Sequence, residues 1–248
     1  MKEYILEACV DSVESAMAAV EGGADRLELC GNLIIGGTTP GPWLFDEIRK
    51  RSDIRIHALI RPRFGDFCYT DAEFSMIKHA VEDFRKMGAE GVVFGVLKPD
   101  GTLNMEQMKE LMEAAGDMSV TLHRAFDVCV DPYETLKQAV QLGIDTILTS
   151  GQKNVCTEGA ELLKNLVQES DGKVTIQIGS GVNAEVIRKI YPLTGAKAYH
   201  MSGKVTLDSV MDYRKEGVNM GLPMLSEFEV WRTDEEKIRD AKKVLEEL

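Results

Sequence analysis

Nowhere in the 248 residues do 18 apolar residues run together, the length a membrane-spanning helix needs. The opening stretch MKEYILEACVDSVES also lacks the uninterrupted apolar segment of a secretory signal. Both absences create the expectation of a cytoplasmic protein. Neither CxxC nor HExxH occurs, so local spacing writes no zinc site, although ligands distant in sequence still meet in a fold. The five cysteines, Cys9, Cys30, Cys68, Cys129 and Cys156, are odd in number and far apart, which suits reduced thiols rather than a disulfide framework. Positive charge is in deficit: 29 Lys and Arg face 41 Asp and Glu, a net charge of −12 that argues against nucleic acid or an anionic membrane as partner. No linker-like stretch divides the chain. At 44% hydrophobic content it can bury a large core, as two small domains or one α/β barrel.

What is present is one pattern repeated. Eight β-rich runs, at 4–10, 25–30, 55–61, 91–97, 119–126, 145–151, 174–179 and 197–203, alternate with amphipathic helical stretches. Helix starts are signalled by Asp11 with Glu14, Thr70 with Glu73, and Asp131 with Pro132 and Glu134, which resemble capping boxes. Helix ends are signalled by Gly22 and Gly23, Gly88 and Gly143. The alternation predicts a single (β/α)8 TIM barrel over 1–203. Residues 204–248 form a C-terminal arm and helix of the same domain, the helix starting at Thr233. An open doubly wound sheet is the alternative topology. Met220, Leu222, Met224, Phe228 and Trp231 in the arm either pack under the barrel or bury a subunit interface.

Parallel strands open all their C-terminal ends on one face, where barrel enzymes carry their active sites. Strand alternation groups Glu7 with Cys9, Glu28 with Cys30, His57 with Leu59, Arg61 and Arg63, and His123 with Thr121 and Ala125. So dense a set of polar groups points to a site. A buried ion network, with Glu7 and Glu28 neutralising Arg61 and Arg63, is the structural alternative. Arg124 falls on the opposite side by strict alternation, so its role depends on the strand ending there; Asp127 lies in the loop beyond. After the seventh run, Gly179, Ser180 and Gly181 precede a helix start at Asn183, and Ser202 and Gly203 follow the eighth run. Together these suit an anion or phosphate. The loops 30–43 and 61–70 have the length and composition of covers over a ligand.

The ordered segments EACV, GADRLELC, GGTTPG, IRPRFGDFCY, GVVFGVL, TLHRAFD, ILTSG, IGSGVN and YHMSG resemble the CutC copper-homeostasis family from residue 4 to about 203, with a family-like tail. The resemblance implies a cytoplasmic TIM barrel, often a homo-oligomer, that handles copper. The family's metal cysteines carry over to Cys9 and Cys30, with Cys68, Met201 or His123 as further candidate ligands, and soft thiolates do select Cu(I). Buried cysteines acting as small apolar residues are the plainer alternative. Two functions therefore stand side by side. One is Cu(I) binding through Cys9 and Cys30. The other is an enzyme acting on a small anionic, phosphorylated metabolite, without an evident organic cofactor. In the second, Gly179, Ser180, Gly181, Ser202 and Gly203 hold the phosphate and Arg61, Arg63 and Arg124 neutralise charge. His123 or Glu28 then exchanges a proton, with Asp127 orienting the histidine or arginine.

Overall fold

Eight short parallel strands pair edge to edge until the last meets the first. The structure is a computed structural model that describes residues 4–222 and 225–248. The strands are β1 (Ile5–Val10), β2 (Arg26–Leu29), β3 (Arg55–Leu59), β4 (Gly91–Phe94), β5 (Ser119–Leu122), β6 (Thr146–Thr149), β7 (Thr175–Ile178) and β8 (Ala198–Met201). Seven helices lie between and outside them: α1 (Val13–Glu21), α2 (Pro42–Arg49), α3 (Asp71–Lys86), α4 (Met105–Ala115), α5 (Pro132–Leu142), α6 (Ala160–Ser170) and α7 (Ala184–Thr194). This is the (β/α)8 barrel, closed rather than doubly wound. No helix among the described residues is long and apolar enough to cross a membrane.

The strands are shorter than the β-rich runs that announce them, and all are trimmed at their C-terminal ends except β1. There the backbone leaves the ladder to serve loops: Leu97 N–H, for example, donates to Phe67 O of the cover loop at 2.9 Å. Local sequence chemistry sets most helix starts. Thr70 and Glu73 form a reciprocal capping box on α3, and Asp131 accepts the Tyr133 and Glu134 N–H groups at the start of α5. Gly143 ends α5 with φ of 76°, a left-handed conformation that costs glycine nothing. The start of α1 differs from the expectation. Ser12, not Asp11, is the cap, its hydroxyl accepting Ser15 N–H, because the Asp11 carboxylate is engaged by Leu33 N–H across the mouth.

The arm is more ordered than its Gly- and Pro-bearing sequence implies. β9 (Lys204–Asp208) and β10 (Glu229–Thr233) form an antiparallel ribbon, followed by α8 (Glu235–Glu246). Thr233 ends β10 rather than starting the helix, since its N–H is taken by Ser15 Oγ and its partner in the ladder is Lys204; Asp234 caps α8 instead. Met220 and Leu222 are exposed, Phe228 and Trp231 half-buried, and Met224 lies outside the described residues. Trp231 reaches the mouth of the barrel, not its underside.

The main apolar core is the layer between strands and helices, where Leu6, Leu27, Ile56, Phe94, Ile147 and Tyr199 point outward. The lumen is different. It holds Glu7, Arg26, Glu28, His57, Gln177 and His200, all at positions of one parity, with a small apolar group of Cys9, Cys30, Leu59 and Val93 above. Two glycines make room there. A Cβ on Gly91 would stand 2.6 Å from the His57 ring, and one on Gly95 would stand 2.9 Å from the His123 ring. Gly91→Ala should therefore destabilise the fold by about 1–3 kcal/mol through overpacking. In urea denaturation its penalty should shrink when combined with His57→Ala; fully additive penalties would contradict this packing.

Candidate metal and ligand site at the barrel mouth

Ladder register builds the floor of the site. β8 sets His200 beside Glu7, β1 sets Cys9 beside Glu28, and β2 sets Glu28 beside His57. Glu7, 1% exposed, receives the Arg26 guanidinium at 2.5 Å, the Gln177 amide at 2.9 Å and His200 Nδ1 at 2.7 Å. Burial would raise its carboxyl, but Arg26 and then His200 hold it well below the usual carboxylate range. Arg26 is thus the counter-ion of Glu7. The alternative pairing of Glu7 and Glu28 with Arg61 and Arg63 does not form: Arg61 bonds backbone carbonyls, and Arg63 turns outward to Glu73 and Asp66. β3 ends at Leu59; Arg61 still lines the mouth, but Arg63 no longer follows strand alternation.

Above Glu7, the donor atoms of Cys9, Glu28 and His200 lie within 4.8 Å of one another, the one group of three or more metal-ligating His, Cys, Asp or Glu side chains among the described residues. His200 Nε2 stands 3.8 Å from Glu28 Oε2. Burial disfavours charge on His200, but Cys9, Glu28 and Glu7 around it raise its imidazole well above the ordinary value. Burial pushes the Glu28 carboxyl up. Cys30 sits beside this group and donates its S–H to Glu28 Oε2 at 3.3 Å; burial, with Glu28 next to it, pushes the thiol well above its ordinary value. Cys68 and His123 lie outside the cluster, and Met201 packs into the outer core.

The floor opens into a cavity of about 440 Å³ at the C-terminal ends of the strands. Of the residues expected there, Cys9, Glu28, Arg61, His123, Arg124, Ser180, Gly181 and Ser202 line it. Glu7 and Cys30 lie behind the lining, Gly179 spends its N–H on Thr149 O, and Gly203 abuts Ile238 of α8. Arg124 reaches the cavity because β5 ends at Leu122 and a 3-10 turn (Arg124–Val128) begins. Asp127 fixes it: one carboxylate accepts Arg124 Nε at 2.6 Å, Thr149 Oγ1 at 2.5 Å, and the N–H groups of Ser150 and Gln152. Asp127 thus positions the arginine, not the histidine. Both cover loops contribute, Leu33 and Gly36 from one and Phe67 from the other.

Sequence reasoning passed over Arg26, Gln177 and His200, and also Lys204 and Arg232, which line the cavity from the ribbon. His200 shares its parity with Ser202, which would have marked it. The ribbon's cations carried no local signal, because β9 and β10 pair across a 20-residue excursion.

The fold and the site define a TIM barrel whose mouth carries a thiol, carboxylate and imidazole cluster. Residues 4–205 match the sequence profile of the CutC family, and the chain belongs to that family. It is 43% identical to a CutC family protein of Bacteroides fragilis over 97% of this chain and 96% of that one. It is 38% identical to the human copper homeostasis protein cutC homolog over 95% of this chain and 87% of that one. A crystal structure described as a copper homeostasis protein CutC, from Streptococcus agalactiae, superposes with a TM-score of 0.76 at 29% identity, covering 80% of this chain and 98% of that one.

His123 supplies a pH test of the mouth. Burial and then the nearby Arg61 push its imidazole down to about 3, so the folded protein keeps it neutral. The unfolded chain takes up that proton near pH 6.5, so stability is lost as pH falls from there toward 3. Between pH 7 and pH 5, His123→Gln should lose roughly 2 kcal/mol less than the parent protein in urea denaturation. Equal losses would contradict a buried neutral His123.

Proposed function

We propose that the chain is a cytoplasmic copper-handling protein that takes Cu(I) as its cargo at Cys9, Cys30 and His200. One observation carries the reading. Glu7 binds His200 Nδ1 and leaves Nε2 turned toward Cys9 and Glu28, the carboxylate, histidine and metal relay by which proteins orient an imidazole ligand.

The donor set fits a soft ion. Two thiols and an imidazole suit Cu(I), while Glu28, a hard oxygen donor, is better employed as acceptor of the Cys30 proton. Arrival of the ion replaces protons on Nε2 and on the thiols, so binding releases them. Thiols of this kind persist in a reducing compartment, consistent with five free cysteines. Self-association, implied by the family resemblance, belongs to the same proposal.

Anaerobic competition between the reduced protein and a chromophoric Cu(I) chelator tests this. Cys9→Ser, Cys30→Ser and His200→Gln should each weaken binding strongly. Glu7→Gln, which keeps the ligands but loses the relay, should weaken it by about 10–100-fold. Unchanged affinity in Cys9→Ser and Cys30→Ser would overturn the proposal.

A further inference from the structure

The copper cluster uses the β1, β2 and β8 side of the mouth. Another part of the same cavity, around the ends of β3 and β5, holds polar groups that it leaves idle. Arg61 is only 9% exposed. Its guanidinium donates to the carbonyls of Gly36, Gly37 and Gly65, but it has no carboxylate partner among the described residues, and its Nε is buried without an acceptor. A buried cation held only by neutral dipoles is costly unless an anion joins it.

His123, 5% exposed, is the second idle group. Its Nδ1 accepts the Ala125 N–H at 3.2 Å, which fixes the neutral ring as the Nε2–H tautomer, and Nε2 has no partner among the described residues. The half-buried Phe67 ring bridges the two, its centroid 4.7 Å from that of the imidazole and 5.0 Å from the Arg61 carbon.

The rest of the lining favours negative charge, in a protein whose net charge is −12. Arg61, Arg124, Lys204 and Arg232 face Asp11 and Glu28. Arg124 is held by Asp127 and Arg232 lies 3.8 Å from Glu14, whereas Lys204 rests on the Trp231 ring with no carboxylate partner among the described residues. The backbone N–H groups of Ser180, Gly181 and Val182, just before α7, also donate to no protein acceptor among the described residues.

We propose that the mouth binds a small phosphorylated carbonyl compound. Lys204 and the N–H groups of Ser180 to Val182, past the ends of β8 and β7, take its phosphate, and Arg61 and His123, on the β3 and β5 side, face its carbonyl end, where His123 Nε2–H donates to the carbonyl oxygen. A neutral imidazole donor polarises a carbonyl without surrendering its proton, so the group is suited to a substrate rather than to a structural anion. The site shares the cavity with the copper ligands but uses other residues, and it does not rest on the copper reading.

Calorimetry on the full chain tests it, with dihydroxyacetone phosphate, inorganic phosphate, dihydroxyacetone and pyruvate as probes. Dihydroxyacetone phosphate should bind about tenfold more tightly than inorganic phosphate, the worth of one well-placed hydrogen bond. Dihydroxyacetone and pyruvate should not register. His123→Phe should reduce dihydroxyacetone phosphate to the affinity of inorganic phosphate, and Lys204→Met should weaken both. Because Arg61 also ties two loops together, its role is read in the parent protein. There the His123 Nε2 resonance should shift with dihydroxyacetone phosphate and not with inorganic phosphate. Failure of both phosphates to bind, pyruvate binding as tightly as dihydroxyacetone phosphate, or a silent His123 resonance would each overturn the proposal.

Discussion

A single buried carboxylate, Glu7, organises the structure. An ionised group in a barrel lumen is tolerated only if its partners replace water, and Glu7 has three: Arg26 from β2, Gln177 from β7 and His200 from β8. The bonds to Gln177 and His200 join strands that come together only when the barrel closes, because β8 is last in the chain and β1 is first. Glu7 thus serves closure and site at once. Removing either charge of its pair with Arg26 would strand the other, at a cost of about 3–5 kcal/mol. The same arrangement turns His200 Nε2 upward, so the chemistry of the mouth follows from the electrostatics of the floor.

Around that floor the positions are set by register and by small residues. Cys9 and Glu28 are lateral partners on β1 and β2, and Gly91 and Gly95 leave the volume that His57 and His123 fill. At the rim the ladder has ended and side chains take over. Asp127 gathers the turn after β5 and the loop after β6, which explains why Arg124 faces the cavity despite its parity. The ribbon of β9 and β10 adds the last wall, bringing Lys204, Trp231 and Arg232 over a mouth otherwise built from the barrel loops.

Much of this was legible in the sequence. The eightfold alternation gave the fold, and period-two reading placed Glu7, Cys9, Glu28, Cys30 and His123 on the inside, because parity holds wherever a strand is still paired. It failed where pairing stops: beyond the end of β3, Arg61 still reached the mouth but bonded backbone carbonyls, and Arg63 turned to the surface. Arg26 was hidden for a different reason, since a charged residue at a strand start usually marks the rim and here it is the counter-ion of a buried acid. The cations of the ribbon depend on a pairing too distant for any local pattern to reveal.

X-ray absorption at the copper edge, on the reduced protein loaded with one equivalent of Cu(I), bears most directly on the central claim that the Glu7-held His200 and the two mouth thiols form one metal site. The account predicts sulfur and imidazole scattering together, with the imidazole signal absent in His200→Gln and a sulfur lost in Cys9→Ser. A spectrum without an imidazole contribution, or one unaltered by these two substitutions, would contradict it.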